Sequence, residues 1–434
     1  MKVVIFGLGR IGLPISLVCA NSGIHVTGID INETLISKLK NGKTAFNEPG
    51  MQKLLDKNLN KNFYPKTQTD DIKKDIQKAE YIMLAVGTGF AKYPEKPKLS
   101  VLYSIIGQLI NAGIKNKTLI LRVTLPVGTS EDIIKLIEKK TNLKEGKDFW
   151  FAFVPERIME GKAIEEESKL PKIIGANSQQ AFEKVKNFFK KIGGDIIKVE
   201  NTRTAEFIKL TDNSWRNTQF AFANELAYLA EDNNINVIEA INCANKGYKR
   251  NQIPRPGPVS GYCLGKDPYL LEIAFEKTAK KRGFNSTWYY GRKANDWLVD
   301  KTIKEIEGKN ILIAGLSFKE NIDDYRYSHA IEIVNKLIQK NYNVIVCDPY
   351  LNDNYYTSLP DKIKNKIKSY KTLNQAINNK IDTIIFTTRH KEYTNIKIKQ
   401  LLKNKENKSK IKIIDLWNII KKEDSKIKYK GLGK

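Results

Sequence analysis

The chain has 434 residues, 41% hydrophobic and 28% charged, a balance that excludes a disordered chain. At about 150 residues per domain, that length leaves room for roughly three domains. With no run of 18 apolar residues, no membrane-spanning helix is expected. The N-terminal MKVVIFGLGRIG leads into a glycine loop, not a cleavage site, so no signal peptide is expected. Four cysteines without a CxxC pair exclude a disulfide framework and an ordinary thiolate zinc site. Three scattered histidines make a metal centre an unattractive reading. A cytoplasmic enzyme with reduced thiols is the default expectation.

The net charge is +26. It could serve nucleic acid, small polyanions, or neither. Lysines and asparagines are spread along the whole chain, which favours a compositional bias. No basic helix interleaved with aromatics and no zinc-finger or RRM signature is present, so specific nucleic-acid binding is not expected.

In chain order, residues 2–6 (KVVIF) predict a strand, IGLPISLVCANSG a helix ending at Gly23, and HVTGID a second strand ending in an acid. Strands are predicted at 81–87, 117–124, 149–155 and 172–176, with helices at 100–112 and 178–192. This alternation implies a mostly parallel sheet covered on both faces. From 203 to 246 the pattern turns helical, and TAEFIKLTDNSWRNTQFAFANELAYLAEDNN predicts one long amphipathic helix that links domains and offers a dimer face. Residues 251–268 form a proline- and glycine-rich loop of the kind that carries chemistry. A second α/β pattern starts at 310 with NILIAGLSF, SHAIEIVNKLIQK, NVIVCDPY, DTIIFTT (382–388) and KIIDLW (412–417). The basic tail KEDSKIKYKGLGK is expected to be mobile at its end. The fold class is thus α/β, with two Rossmann-like doubly wound parallel-sheet domains joined by a long central helix in a helical middle domain. The predicted boundaries are 1–200, 201–300 and 301–434.

Gly7, Gly9 and Gly12 form GxGxxG between a strand and a helix. The first permits a tight turn, the second lets backbone approach a diphosphate, and the third allows close helix–strand packing. Free N–H groups at the helix start would face the diphosphate. Asp30, at the end of the second strand, would bind the ribose hydroxyls and repel a 2′-phosphate, so NAD is the expected cofactor.

Cys263 lies in GYCLGKDP. A lone cysteine is more often a buried, inert one. Lys266 and Asp267, within four residues, point instead toward a catalytic thiol. Cys19, Cys243 and Cys347 read as core or incidental. Lys209 and Asn213 share one helix face, although spacing alone fits a solvated lysine as well. Glu156 and Glu160 follow Pro155 at a strand end, where parallel-sheet enzymes place ligand contacts. They could equally be the acids that a helix start favours.

Taken together, GLGRIGLP (7–14), GIDIN (28–32), NEPGMQKLL (47–55), AVGTG (85–89), TLPVGT (124–129), VPERIMEG (154–161), AEFIKLTDN (205–213), PGPVSGYCLGKDP (256–268) and GLSFKENIDDYRYS (315–328) resemble the UDP-glucose/GDP-mannose dehydrogenase family over nearly the full length. The resemblance implies an NAD-binding domain, a central helical domain and a C-terminal domain that binds the nucleotide sugar. It also implies oxidation of the sugar's C6 hydroxymethyl to a carboxylate, a four-electron change that reduces two NAD.

By motif position, Cys263 would be the nucleophile, Lys209 and Asn213 would stabilise an oxyanion, and Asp267 and Glu156, helped by Thr124, would handle protons and water. Gly7, Gly9, Arg10, Ile11, Gly12, Asp30, Val86, Gly87, Thr88, Thr124 and Arg326 would serve the cofactor. Glu156, Arg157, Glu160, Lys209, Asn213, Arg250, Gly261, Phe318 and Lys319 would serve the substrate, Lys319 at its diphosphate. Arg250 would reach a neighbouring subunit's substrate, which implies a homodimer or larger assembly.

Four positions depart from the family pattern: Ser260 and Tyr262 in the cysteine loop, Val123 before Thr124, and Gly89 closing AVGTG. The PER of VPER, with Arg157, resembles the branch acting on UDP-N-acetylhexosamines such as UDP-N-acetylmannosamine; UDP-glucose is the alternative substrate. A 3-hydroxyacid dehydrogenase would share the front domain but needs neither the cysteine nor the segment after 310. A non-catalytic basic NAD-binding module would not need Cys263, Lys209 and Asp267.

Overall fold

A computed structural model describes residues 1–89, 95, 97–352, 366–394, 396–403, 410–420 and 427–434. The fold divides into two compact units, Met1–Asp212 with Tyr269–Phe275, and Asn213–Pro268 with Glu276–Lys434.

The first unit is built on an eight-stranded sheet. Its strands are β1 (Lys2–Phe6), β2 (His25–Asp30), β3 (Phe63–Thr67), β4 (Tyr81–Leu84), β5 (Thr118–Leu121), β6 (Trp150–Phe153), β7 (Lys172–Ala176) and β8 (Ile196–Val199). They lie in the order β3-β2-β1-β4-β5-β6-β7-β8. The strands are β-branched and buried on both faces, as a sheet covered by helices requires. Helices α1 (Gly12–Asn21), α2 (Glu33–Lys40), α3 (Met51–Asn58), α4 (Lys73–Lys78), α5 (Ser100–Ala112), α6 (Thr129–Thr141), α7 (Ala163–Lys169) and α8 (Gln179–Lys190) accompany it. Two apolar cores result, one around Leu13, Leu17 and Phe188, the other around Ile106, Leu119 and Phe151. The sheet is mostly parallel, as expected, with one exception: β6 and β7 run antiparallel. Strand β3 escapes periodicity because Pro65 interrupts it; it lies at the sheet edge, where a missing N–H breaks no ladder.

Helix α9 (Thr202–Asp232) is the predicted long helix; its first residues belong to the first unit and the rest to the second. A side chain at Gly175 would meet the Asn201 carbonyl oxygen at 2.3 Å and Ala205 Cβ at 2.6 Å, so the glycine lets α9 start against β7.

The second unit adds α10 (Val237–Asn245), most of α11 (Asp267–Arg282), α12 (Thr287–Lys304), α13 (His329–Gln339), α14 (Leu373–Ala376) and α15 (Ile398–Leu401). Its sheet contains β9 (Asn310–Ala314), β10 (Asn343–Cys347), β11 (Lys368–Tyr370), β12 (Thr383–Phe386), β13 (Lys412–Asp415) and β14 (Lys428–Gly431). The order β11-β10-β9-β12-β13-β14 is wholly parallel and repeats the winding of the first six strands of the other sheet. The basic tail departs from expectation. Residues 422–426 lie outside the described residues, but β14 pairs with β13, and Leu432 is buried. Its lysines suit an edge strand, because charge there discourages further pairing.

Candidate active site

The turn after β1 matches the role assigned to each glycine. Gly7 has φ +91°, and a Cβ there would meet the Ala85 carbonyl oxygen at 2.7 Å. At Gly12 a Cβ would stand 1.7 Å from the Gly7 oxygen, while at Gly9 it would meet nothing within 4 Å. The backbone therefore leaves room for a diphosphate at Gly9 alone of the three. Asp30 accepts the Leu8 N–H at 2.7 Å and the Asn32 N–H at 2.9 Å, which locks the glycine turn to the end of β2.

A cavity of about 620 Å³ opens here, lined by Gly7, Gly9, Asp30, Val86 and Gly87 from the predicted set. Ile31 (70% exposed) and Val101 (47%) add apolar walls suited to a flat ring. Val101 lies outside every motif, and Ile31, although part of GIDIN, was given no role, so sequence reasoning missed both. Ile11, Gly12, Thr88 and Thr124 do not line the cavity. Gly12 acts through packing, Ile11 stands at the N-cap position of α1 without a side-chain cap, Thr88 is buried, and Thr124 is half-buried. Arg10 turns to Glu160, 3.7 Å away, and lies over the Phe46 ring.

A second set of predicted residues gathers in the loop after β6. Glu156 and Lys209 are both buried, at 7% and 6% exposure, so Lys209 is not the solvated lysine that spacing allowed. The Lys209 ammonium donates to the Glu156 carbonyl and lies 3.4 Å from Glu156 Oε2. Arg157 pairs with Asp212 one turn along α9, at 3.1 Å. Two buried carboxylates with no anticipated role brace the surrounding loops. Glu48, from NEPG, accepts the N–H groups of Gly161 and Ala163, each at 2.8 Å. Glu206 accepts those of Gly128 at 2.6 Å and Ser130 at 2.7 Å, fixing the loop that carries Thr124. Burial pushes the Glu206 carboxyl above its ordinary range. The signal available in sequence was its place one turn before Lys209.

In the second unit, Cys263 is exposed on a tight turn whose carbonyl accepts the Lys266 and Asp267 N–H groups at 3.2 and 2.9 Å. Cys19 and Cys347 are buried instead; burial raises both thiols, that of Cys347 to about 12. The Asn213 amide donates to Asp267 Oδ2 at 2.6 Å, and Lys266 Nζ lies 3.2 Å from Oδ1. Both Asp267 and Lys266 are almost fully buried. Gly261 has φ +89°, and a Cβ there would strike the Phe318 ring at 2.5 Å.

Tyr262, the departure beside the cysteine, is flanked by Lys266 Nζ at 4.6 Å and the Arg326 guanidinium at 5.2 Å, both over its ring. Arg326 also binds Asp324 at 2.6 Å. Lys319 is half-buried, and its carbonyl accepts from Ser317 Oγ at 2.9 Å. Arg250 lines a different cavity of about 540 Å³, with Trp215 and Phe222, whose walls do not include Cys263.

Comparison with known proteins agrees with this arrangement. The UDP-glucose/GDP-mannose dehydrogenase family matches through its NAD binding domain at residues 1–193, its central domain at 203–295 and its UDP binding domain at 312–422. The chain is 33% identical to the UDP-N-acetyl-D-mannosamine dehydrogenase of Campylobacter jejuni, covering 91% of this chain and 97% of that one. It is 30% identical to the enzyme of the same name from Methanococcus vannielii, covering 100% and 97%. Among solved structures, the UDP-D-ManNAc dehydrogenase of Pyrococcus horikoshii superposes with a TM-score of 0.84 at 28% identity, covering 100% of this chain and 99% of that one. The UDP-binding match falls on the segment that a 3-hydroxyacid dehydrogenase would lack. With a glycine turn shaped for a dinucleotide in one unit and a UDP-binding fold in the other, the chain belongs to the UDP-glucose/GDP-mannose dehydrogenase family and is an NAD-dependent nucleotide-sugar dehydrogenase.

Proposed function

We propose that the protein oxidises the C6 hydroxymethyl of UDP-N-acetyl-D-mannosamine, or a closely related UDP-N-acetylhexosamine, to the carboxylate through a covalent intermediate on Cys263. The observation that carries the mechanism is the exposed Cys263, whose carbonyl accepts the N–H of Asp267, itself bonded to Asn213. Arg157, the name of the Campylobacter jejuni relative and that of the Methanococcus vannielii relative support the sugar assignment.

NAD, when bound, is the hydride acceptor for both oxidations, held by Gly7, Gly9, Asp30, Val86 and Gly87. After the first oxidation, the Cys263 thiolate adds to the aldehyde carbon. A C–S bond forms, and the carbonyl oxygen takes the electron pair. Lys209 and Asn213 each serve as donors to that oxygen. The second oxidation of the thiohemiacetal leaves a thioester. Water, deprotonated by Asp267 or Glu156, then attacks its carbonyl carbon. The C–S bond breaks, and the electron pair returns to sulfur. Thr124 and Glu160 position water and substrate, Arg157, Gly261, Phe318 and Lys319 contact the nucleotide sugar, and Arg326 reaches the cofactor.

We also place the domain boundaries at 1–200, 201–300 and 301–434, which the three family matches support. The active form is a homodimer built on the exposed face of α9. Trp215, Phe222 and Leu229, at 62%, 53% and 59% exposure, recur there every seven residues. Arg250, which lines the cavity beside Trp215 and Phe222, then reaches the partner's substrate. A cytoplasmic setting fits an exposed thiol that must stay reduced.

A panel of UDP-sugars tests the reading. Two NADH per sugar and a product mass equal to the uronic acid are expected with UDP-N-acetylmannosamine. Preferential turnover of UDP-glucose would transfer the assignment to the alternative substrate. One NADH per sugar, with aldehyde released, would remove the thioester from the sequence.

A further inference from the structure

Helix α9 presents Asn213, Asn217, Ala221 and Asn224 on one face, and all four side chains are buried. Across from them, α12 presents Gly291, Arg292 and Asn295. A Cβ at Gly291 would stand 3.2 Å from Ala221 Cβ, so the two helices pack closely. Beside this contact the two helices meet through polar side chains, while farther along they share an apolar cluster of Ala227, Leu298 and Val299. Asn295 Nδ2 donates to the Asn217 carbonyl at 3.1 Å and to its Oδ1 at 2.9 Å. Asn224 Nδ2 donates to Asn295 Oδ1 at 2.8 Å. Arg292, with 0% exposure, donates to Asn217 Oδ1 at 3.0 Å and pairs with Asp296 at 2.9 Å.

Such a ladder would be costly in a helix interface unless its remaining donors had partners. Those partners are the backbone of the cysteine loop. Asn224 exchanges two hydrogen bonds with Gly257, through N–H at 2.8 Å and C=O at 3.1 Å. Arg292 donates one nitrogen to the Val259 carbonyl at 2.8 Å and the other to the Leu264 carbonyl at 3.1 Å. These two carbonyls flank Cys263 in a segment without helix or strand pairing, so their acceptors must be met by side chains. The other side of the loop is also pinned. The His329 N–H donates to Ser260 Oγ at 3.0 Å, and the Gly261 N–H donates to the Tyr327 carbonyl at 3.0 Å.

We propose that Arg292 is a positioning residue for the oxidation: its planar guanidinium ties Val259 to Leu264 and so sets where the Cys263 sulfur stands. The inference rests on the reading of Cys263 as nucleophile. A guanidinium suits the task because its donors form a rigid fork that reaches two carbonyls at once. An ammonium is a single point and cannot span them while keeping Asp296. Displacing a reacting atom by about 1 Å costs about a hundredfold in rate.

The test is Arg292→Lys in the full-length enzyme, read by turnover, by NAD affinity in a binding assay, and by the rate at which iodoacetamide alkylates Cys263, followed by peptide mass. The expected result is a kcat lowered about a hundredfold, unchanged NAD affinity and KM for the sugar, and an altered alkylation rate. Wild-type kcat and wild-type alkylation would overturn the proposal. Should Arg292→Lys not fold, Asp296→Asn, which keeps the arginine but releases one edge of it, is expected to show the same signature. Failure of both variants to fold would make Arg292 a folding residue and overturn the proposal too. Cys263→Ser separates the two claims. If it still completes the four-electron oxidation while Arg292→Lys alters alkylation, the nucleophile reading fails and the clamp stands. If it is inactive and Arg292→Lys is normal on all readouts, the clamp fails and the nucleophile stands.

Discussion

Asn213 and Asp267 meet through a 2.6 Å hydrogen bond in a setting almost closed to water, and the second Asp267 oxygen lies 3.2 Å from Lys266. The carboxylate is thus held by an amide on one oxygen and an ammonium near the other, which fixes the orientation of the proposed general base. Asp267→Asn is expected to lower kcat about a hundredfold or more, in the range of general-base contributions, with NAD binding intact. Stopped-flow measurement of NADH release checks it. A kcat within a few-fold of wild type would show that Asp267 moves no proton.

The glycine turn makes a sharper prediction. Gly12→Ala places a methyl group 1.7 Å from the Gly7 oxygen, against backbone that cannot swing aside. The expected outcome is loss of measurable NAD binding in titration calorimetry, with thermal unfolding retained for the second unit. Retained affinity would mean that the turn deforms freely.

A buried ion cluster underlies the first unit. Arg122 and Glu167, at 2% and 0% side-chain exposure, form a two-pronged pair at 2.7 and 3.1 Å, and Lys172 approaches the same carboxylate at 3.5 Å. Glu167→Ala would strand two buried cations, so urea unfolding should show a loss of about 3–5 kcal/mol. A loss below about 1 kcal/mol would show that the cluster behaves like a surface pair.

His329 gives the stability a pH dependence. Burial, reinforced by Arg292, holds its imidazole below the ordinary value of 6.5, against the pull of Asp296. The unfolded chain therefore binds the proton first as pH falls, and stability present above 6.5 is lost below it. Urea midpoints measured at about pH 7.5 and about pH 5.5 should fall for the wild type. They should fall less for His329→Asn, whose side chain does not titrate. Equal slopes would remove His329 from the acid limb.

The α9 face supplies a prediction about assembly. Phe222→Glu places a charge amid Trp215 and Leu229, so light scattering should report half the wild-type mass with unchanged circular dichroism. An unchanged mass would move the interface elsewhere.

Local chemistry alone specified much of this protein. The glycine turn, Asp30 and the alternation of short β-branched strands with helices were readable because each depends on neighbours within a few residues: φ at Gly7, an unbroken apolar run along β1, a helix start at Gly12. The long α9 was readable from its uninterrupted periodicity. Tertiary structure alone decided which side chains leave water and whom they meet. Lys209 and Glu156 are 53 residues apart in the chain, as Asn213 and Asp267 are 54 apart. No spacing rule pairs them. The antiparallel β6–β7 pairing and the edge strands β3 and β14 were hidden for a similar reason, since strand direction and edge position follow from the packing of the whole sheet. Arg292 carried no motif at all; its part becomes visible only once two helices close over a loop and leave its fork facing the carbonyls on either side of Cys263.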